Sequence, residues 1–172
     1  AWQESDVITD MLDQCAVAWK RAPEHIIYVG CYPNDNATIM AVVEAASRNP
    51  AIRLILCRDT GPTTKADCLN RLWQAMTADE LAHGYKVKAV ILHDAEDMVH
   101  PDELAVYDCL VERNATVQLP VIPVRVAGSR WISGHYCDEF AEAHTKSLVV
   151  REAIGVPLPL AGVGCAIERK ML

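Results

Sequence analysis

The chain lacks an excess of positive charge, a membrane-length apolar run, a paired cysteine motif, and any repeat or low-complexity tract. Each shortage narrows what it can do. Lys and Arg number 16 against 23 Asp and Glu, a net charge of −7. A nucleic-acid surface needs clustered cations against the phosphate backbone, so this balance argues against one. A small polyanionic ligand stays open only with a metal ion or a few local cations to offset the acids. The seven cysteines, Cys15, Cys31, Cys57, Cys68, Cys109, Cys137 and Cys165, are scattered and odd in number. None has the C-x-x-C spacing of a zinc or dithiol site, and most fall in apolar runs where free Cys acts as a small core residue. They read as reduced cytosolic thiols. No apolar stretch approaches a bilayer span and no signal peptide opens the chain. It begins without Met, at "AWQESDVI", and stops at "ERKML" after a strand-like run, so it reads as a soluble segment of something longer.

What is present suits one domain of 172 residues with a proper core, since 51% of the residues are hydrophobic. Val7, Ile8, Met11, Leu12, Cys15 and Trp19 recur at helical spacing behind Ser5 or Asp6 as N-cap. "HIIYVG" (His25–Gly30) is a short branched run closed by Gly and predicts a buried strand. "TIMAVVEAASR" (Thr38–Arg48) predicts a helix, "RLILC" (Arg53–Cys57) a second strand, and "TKADCLNRLWQAM" (Thr64–Met76) a helix capped by Thr63 or Thr64. "KAVILHD" is the third strand, and Pro101 stands at the first position of the helix that follows. "TVQLPVIPV" (Thr116–Val124), with Pro120 and Pro123, predicts an edge or bulged strand. A long helical stretch, "GHYCDEFAEAHTKSLVVREAIG", leads to a last strand at "GVGCAIE". Strands alternating with helices imply α/β: three layers, α/β/α, with a mostly parallel sheet.

Open sheets of this kind bind ligands beyond the carboxyl ends of their strands. "GCYPND", "CRDTGPTTK" and "HDAED" fall there. The third holds Asp94, Glu96 and Asp97 on one turn. Oxygen ligands so placed suit a hard cation, Mg²⁺ or Mn²⁺, that shares phosphate oxygens. Alternation sends Asp94 and Glu96 to one side and Ala95 to the other. Two readings stay open from these residues: a metal site, or a solvated turn with helix-capping acids.

Four stretches in order carry a resemblance. "DAEDMVHP" resembles the D-x-D-x-x-x-x-P segment of family 2 glycosyltransferases of the GT-A fold. "AWQESDVI" is similar to their P-A-x-N-E opening, without its first Pro and preceding strand. "GPTTKADCLN" resembles the Gly-Lys-Ala-x-x-Leu-Asn stretch, and "AGVGCAIERK" the later Gly-x-Gly strand before an Arg-Arg pair. The match spans almost the whole chain and is nearest to an inner-membrane branch that makes a surface glycan acting as a phage receptor.

The resemblance implies a divalent-metal-dependent, inverting hexosyltransferase. It would move a sugar from a nucleotide donor, often a UDP-sugar, to a glycan acceptor at the cytoplasmic face of the inner membrane. Membrane contact would come only through parts of the parent chain outside these residues. By the same resemblance Ala1, Trp2 and Glu4 hold the nucleoside, Lys65 stands near the diphosphate, Asp94 faces ribose or diphosphate, and Glu96 ligates the metal. The second acid is Glu where relatives have Asp, so Asp97 could take or share the ion. Where relatives place an acid for the uracil ring, Gly30 and Cys31 cannot serve, which leaves Asp35 or another mode of holding the base.

The family's general base, on a Thr-Glu-Asp segment, would fall beyond Leu172, so the segment alone is expected not to turn over. Asp138, Glu139 and His144 read better as an exposed helix face than as a substitute. On the acceptor side stand Trp131, in a polar loop, and Gly162 and Gly164, which let a backbone approach closely. His93 reads as a structural histidine, and Arg169 and Lys170 as a solvated pair. A missing first strand would leave a sheet edge open to self-association. The alternative function is a non-catalytic nucleotide-binding or scaffold module with the same fold. A nucleotidyltransferase would need a Gly-rich basic loop near its start, and "AWQESD" is neither.

Overall fold

A computed structural model describes residues 1–125 and 128–172. The chain divides into two compact units, Ala1–Lys88 with Asp94–Leu110, and Ala89–His93 with Val111–Leu172.

The first unit opens on α1 (Ser5–Ala18), whose Ile8, Leu12 and Cys15 are buried. Ser5 and Asp6 are not its cap. Both lie in the first turn, and Glu4 flanks the helix with no side-chain cap bond. The Glu4 backbone N–H donates to Thr38 Oγ1 at 3.0 Å instead, so a tertiary bond fixes the entry to the helix where a local cap was expected.

Strands β1 (Ile27–Cys31) and β2 (Ile52–Leu56) pair in parallel, Ile27 opposite Ile52 and Cys31 opposite Leu56. Between them runs α2 (Asn36–Arg48), capped by the Asp35 side chain on Thr38 N. Val29 and Cys31 join Ile8, Leu12, Val42, Ala45 and Ile52 in one apolar cluster. Alternation turns Gly30 to the opposite face. There α3 (Lys65–His83) lies so close that a Cβ on Gly30 would stand 2.4 Å from Cys68 Sγ and 3.3 Å from Leu72 Cδ2. Helices therefore cover both faces of the strand pair, the α/β/α layering expected of the GT-A type.

A capping box starts α3: Asp67 N donates to Thr64 Oγ1, and Thr64 N to Asp67 Oδ2. The helix runs beyond Met76 until Gly84, at φ 73°, takes the left-handed C-cap position. After the acidic turn, Pro101 and Asp102 form a turn, and α4 (Glu103–Leu110) starts later than the proline suggested.

In the second unit β3 (Ala89–Leu92), β4 (Thr116–Gln118) and β5 (Cys165–Glu168) form a sheet in the order β3-β5-β4. Both neighbours are antiparallel to β5, so β3 and β4 run the same way. β4 is an edge strand of this sheet as expected, but it covers three residues rather than the nine of Thr116–Val124, ending before Pro120 and Pro123. Helix α5 (Arg130–Glu142), a π-helical turn (Ala143–Ser147) and α6 (Leu148–Ala153) follow. Among the described residues no helix is long and apolar enough to cross a membrane.

The close approach at Gly30 sets a test. Gly30→Ala is expected to destabilise the chain by about 1–3 kcal/mol through overpacking. Adding Cys68→Ala should recover most of that loss in urea unfolding, where independent effects would simply add.

Candidate functional site

The acidic turn follows β3 in the chain. Ala95 packs against the apolar cluster of the first unit, while Asp94 is half-buried and Glu96 exposed. Asp97 Oδ2 accepts from Asp94 N at 2.8 Å, and Asp97 N donates to Asp94 O at 3.2 Å. These two bonds close the turn, and Asp97 is one of its structural members. Lys65 Nζ lies 2.5 Å from Asp94 Oδ1, with the side chains 53% and 42% exposed. So exposed a pair contributes roughly 0–1 kcal/mol, too little for stability to be its purpose. Lys65 is the first residue of α3, and the Thr64 cap sets its direction.

Among the described residues no three Asp, Glu, His or Cys side chains converge on a metal-sized gap. The acids therefore do not form a preassembled cage. Two carboxylates, Asp94 and Glu96, flanking one partly buried alanine have the chemistry of a site for a cation that keeps waters and completes its shell with substrate phosphate, as Mg²⁺ does.

The opening segment sits on the same unit. Ala1 N donates to Gly30 O at 2.6 Å, Gln3 N to Asp35 Oδ2 at 2.6 Å, and Glu4 N to Thr38 Oγ1 at 3.0 Å. Gln3 has φ 56°, an uncommon conformation for a residue with a side chain, held here by the bonds on either side. Asp35 is buried and also accepts from Thr38 N at 3.3 Å. Burial alone would raise its pKa. The N–H of Gln3 and the donors of Thr38 outweigh that and hold it below the ordinary 3.8. Its carboxylate thus ties the opening segment to the start of α2. Trp2 meets Tyr32 edge to face, centroids 5.5 Å apart at 89°.

The remaining candidates lie in the second unit. Trp131 is 88% exposed and stands in the first turn of α5, not in a loop. Gly162 and Gly164 have φ of 80° and 60°, values that favour glycine. Gly164 also lies against Val121, Cγ2 being 3.2 Å from where its Cβ would be. Asp138 and Glu139 form the exposed helix face expected of them. His144 does not: the π-helical turn shifts the phase and buries it against Phe140, where burial lowers its pKa. Lys170 pairs with Glu168 at 2.8 Å on the surface. His93 follows β3, half-buried.

Three residues have no signal in the sequence that marks the partners they bind. Gln118 Nε2 donates to the carbonyls of Leu119, Val163 and Gly164, and its Oε1 accepts from Ala161 N, which holds the Gly162–Gly164 loop. Asn34 and Gly61 join through two hydrogen bonds, Asn34 Nδ2 to Gly61 O at 2.8 Å and Gly61 N to Asn34 Oδ1 at 2.7 Å. "PND" and "TGP" each signal a turn, but nothing local links them across 27 residues.

A family model described as "Glycosyltransferase like family 2" matches residues 1–172. Over 170 residues the chain is 41% identical to "Bacteriophage adsorption protein B" of Escherichia coli strain K12, and equally to "Bacteriophage N4 adsorption protein B" of Escherichia coli O157:H7. These alignments cover 99% of this chain and 23% of each relative, so the chain spans about a quarter of their length. No solved structure matches it significantly.

The anchoring role of Asp35 has a pH signature. Its folded-state pKa is depressed, so the stability it lends is full above the ordinary carboxyl value and drains as pH falls through the lowered one. Asp35→Ala should cost about 0.5–2 kcal/mol at neutral pH, as for a lost helix cap. The gap between variant and parent should narrow in acid when urea midpoints are compared across pH.

Proposed function

The chain belongs to glycosyltransferase family 2, and from that premise we propose that it carries out the donor half of an inverting glycosyl transfer. The donor is a nucleoside-diphosphate sugar, a UDP-sugar being the first candidate, and the sugar goes to a glycan acceptor. The observation that carries this reading is the 2.5 Å contact of Lys65 with Asp94 beside an exposed Glu96. A cation and two carboxylates stand together on one rim, and the pair is too exposed to serve stability alone.

In this reading Asp94 and Glu96 would hold a divalent ion, Mg²⁺ or Mn²⁺. When bound, that ion supplies Lewis-acid stabilisation of the departing diphosphate. Lys65 releases Asp94 and donates charge-assisted hydrogen bonds to the phosphate oxygens. Asp97 keeps the turn closed through Asp94 N. Ala1, Trp2 and Glu4 line the nucleoside end, with Asp35 holding the backbone N–H of Gln3 between them. Trp131, Gly162 and Gly164 are the proposed acceptor side. One direct displacement at the anomeric carbon inverts its configuration and needs no sugar attached to the enzyme.

The setting we propose is the cytoplasmic face of a bacterial inner membrane, within a membrane-anchored protein that builds a surface polysaccharide used as a phage receptor. The printed names of the two relatives support the link to phage adsorption and no more of this setting.

Calorimetry with UDP, with and without Mn²⁺, tests the site. Removing the ion is expected to weaken UDP binding. Asp94→Ala and Glu96→Ala should each lower it at least about tenfold, the cost that even a partner of a metal ligand carries. If both variants keep the parent's affinity and metal dependence, the assignment of these two acids is wrong.

A further inference from the structure

Two half-buried thiols meet where the end of β2 faces α3. Cys57 continues β2 by one residue: its N–H donates to Cys31 O at 2.8 Å, so the alternation of the strand still holds there. Ile52 and Leu54 face the apolar cluster of α1 and α2, which turns Cys57 to the opposite side, towards α3. There it lines a polar cleft with Arg58, Asp67, Asn70 and Arg71. Cys68 reaches the same face from α3, with its Sγ lying over Gly30. Sulfur then stands against sulfur. Burial pushes the Cys57 thiol up to about 11, and the charge of Cys68 and a side-chain hydrogen bond with it add to the rise.

The other five cysteines are placed differently. Cys15, Cys31 and Cys165 are closed off from solvent. Cys137 donates to Pro123 O at 3.3 Å, and Cys109 is exposed on α4. Cys31 is near in the chain fold, but it belongs to the apolar cluster on the other face of β1. Cys57 and Cys68 combine partial access with a neighbouring sulfur.

We propose that Cys57 and Cys68 form a reversible dithiol–disulfide site, oxidised by a small disulfide of the glutathione class. One thiolate of the pair attacks a sulfur of the reagent and releases the first small thiol. The second thiolate attacks the mixed disulfide, forms the Cys57–Cys68 bond and releases the second small thiol. The protein loses two S–H bonds, the reagent exchanges its S–S bond for two S–H bonds, and two electrons pass to the reagent. This goes beyond the donor reading and stands without it.

Closure would tie the end of β2 to the start of α3. Residues 58–67 lie between the two sulfurs, and they include Gly61 on Asn34, the Thr64 cap and Lys65. A bond across the base of that loop limits how far it can open. In the reduced chain Arg71 Nε on Leu56 O, at 3.1 Å, holds the same junction. A half-exposed bridge stays open to reduction by the thiols that its formation releases, which suits a transient site rather than a permanent staple.

Oxidised glutathione, added to the folded chain at mildly alkaline pH, tests this. The chain is expected to lose two of its seven thiols to one bridge. Peptide mapping by mass spectrometry should find Cys57 joined to Cys68, two hydrogens lighter and without glutathione, and dithiothreitol should return both thiols. Cys57→Ser and Cys68→Ser should each form no bridge and carry glutathione at most on the sulfur that remains. The proposal is overturned if the folded parent forms no bridge, if the bridge maps to another pair, or if both sulfurs keep glutathione without joining. It is equally overturned if a folded Cys57→Ser chain still loses two thiols to a bridge. Should a Ser variant fail to fold, the peptide map of the parent decides by itself.

Discussion

The rim of the first unit depends on how closely α3 approaches β1, and Gly30 sets that distance. With no side chain between strand and helix, Cys68 and Leu72 settle onto the strand face. That brings the start of α3 to the carboxyl ends of the two parallel strands, where the capping box of Thr64 and Asp67 directs its first turn. Lys65, first in that turn, then meets Asp94. A bulkier residue at position 30 would push the helix outward, and the cation would leave the acids. The strand's one missing side chain is therefore felt in the electrostatics of a turn 64 residues later in the sequence.

A second constraint is the seating of the opening segment. Four residues ahead of α1 have no secondary structure of their own, yet the Ala1 amino group and the N–H groups of Gln3 and Glu4 are taken by Gly30 O, Asp35 and Thr38. Asp35 does two jobs with one carboxylate: it caps α2 and holds Gln3. Its charge is kept by those donors against burial, so helix start and opening segment are stabilised together. Segment and helix form one cooperative piece, and local fraying of either should loosen both.

Local periodicity carries most of the secondary structure. The strands at Ile27, Ile52 and Ala89, and the helix behind Thr64, follow from branched runs, apolar spacing and capping residues that lie close together in the chain. Their pairing does not follow. Nothing within "GVGCAIE" says that it enters between β3 and β4 and runs against both, because neighbours in a sheet are chosen by contacts far apart in sequence. His144 departs from its expected face for a related reason: one π-helical turn moves a residue from the solvent side to the buried one, and the apolar pattern of "CDEFAEAH" has no mark of it. Trp131 resembles a loop residue because Ser129, Ser133 and Gly134 surround it, though the helix starts at Arg130. At the candidate site the acids and Lys65 are legible as residue types in a familiar order. The Asn34–Gly61 lock is not, since each partner alone is an ordinary turn residue.

The Lys65–Asp94 pair also bears on how a charged donor could enter an acidic chain. Two unit charges about 4 Å apart attract by ~1 kcal/mol in water and more as the surroundings dry. This pair is about half exposed, so it sits near the weak end of that range. Separating it is correspondingly cheap. A charge-assisted hydrogen bond to phosphate is of the same kind as the Lys65–Asp94 bond it would replace, so on the proposed reading the exchange costs Lys65 little. Asp94 is then left beside Glu96 with its charge uncompensated, which disfavours the arrangement unless a cation arrives with the phosphates. Donor and metal would therefore bind as a coupled pair. Lys65 would neutralise the acid in their absence, holding the site in one geometry until both arrive.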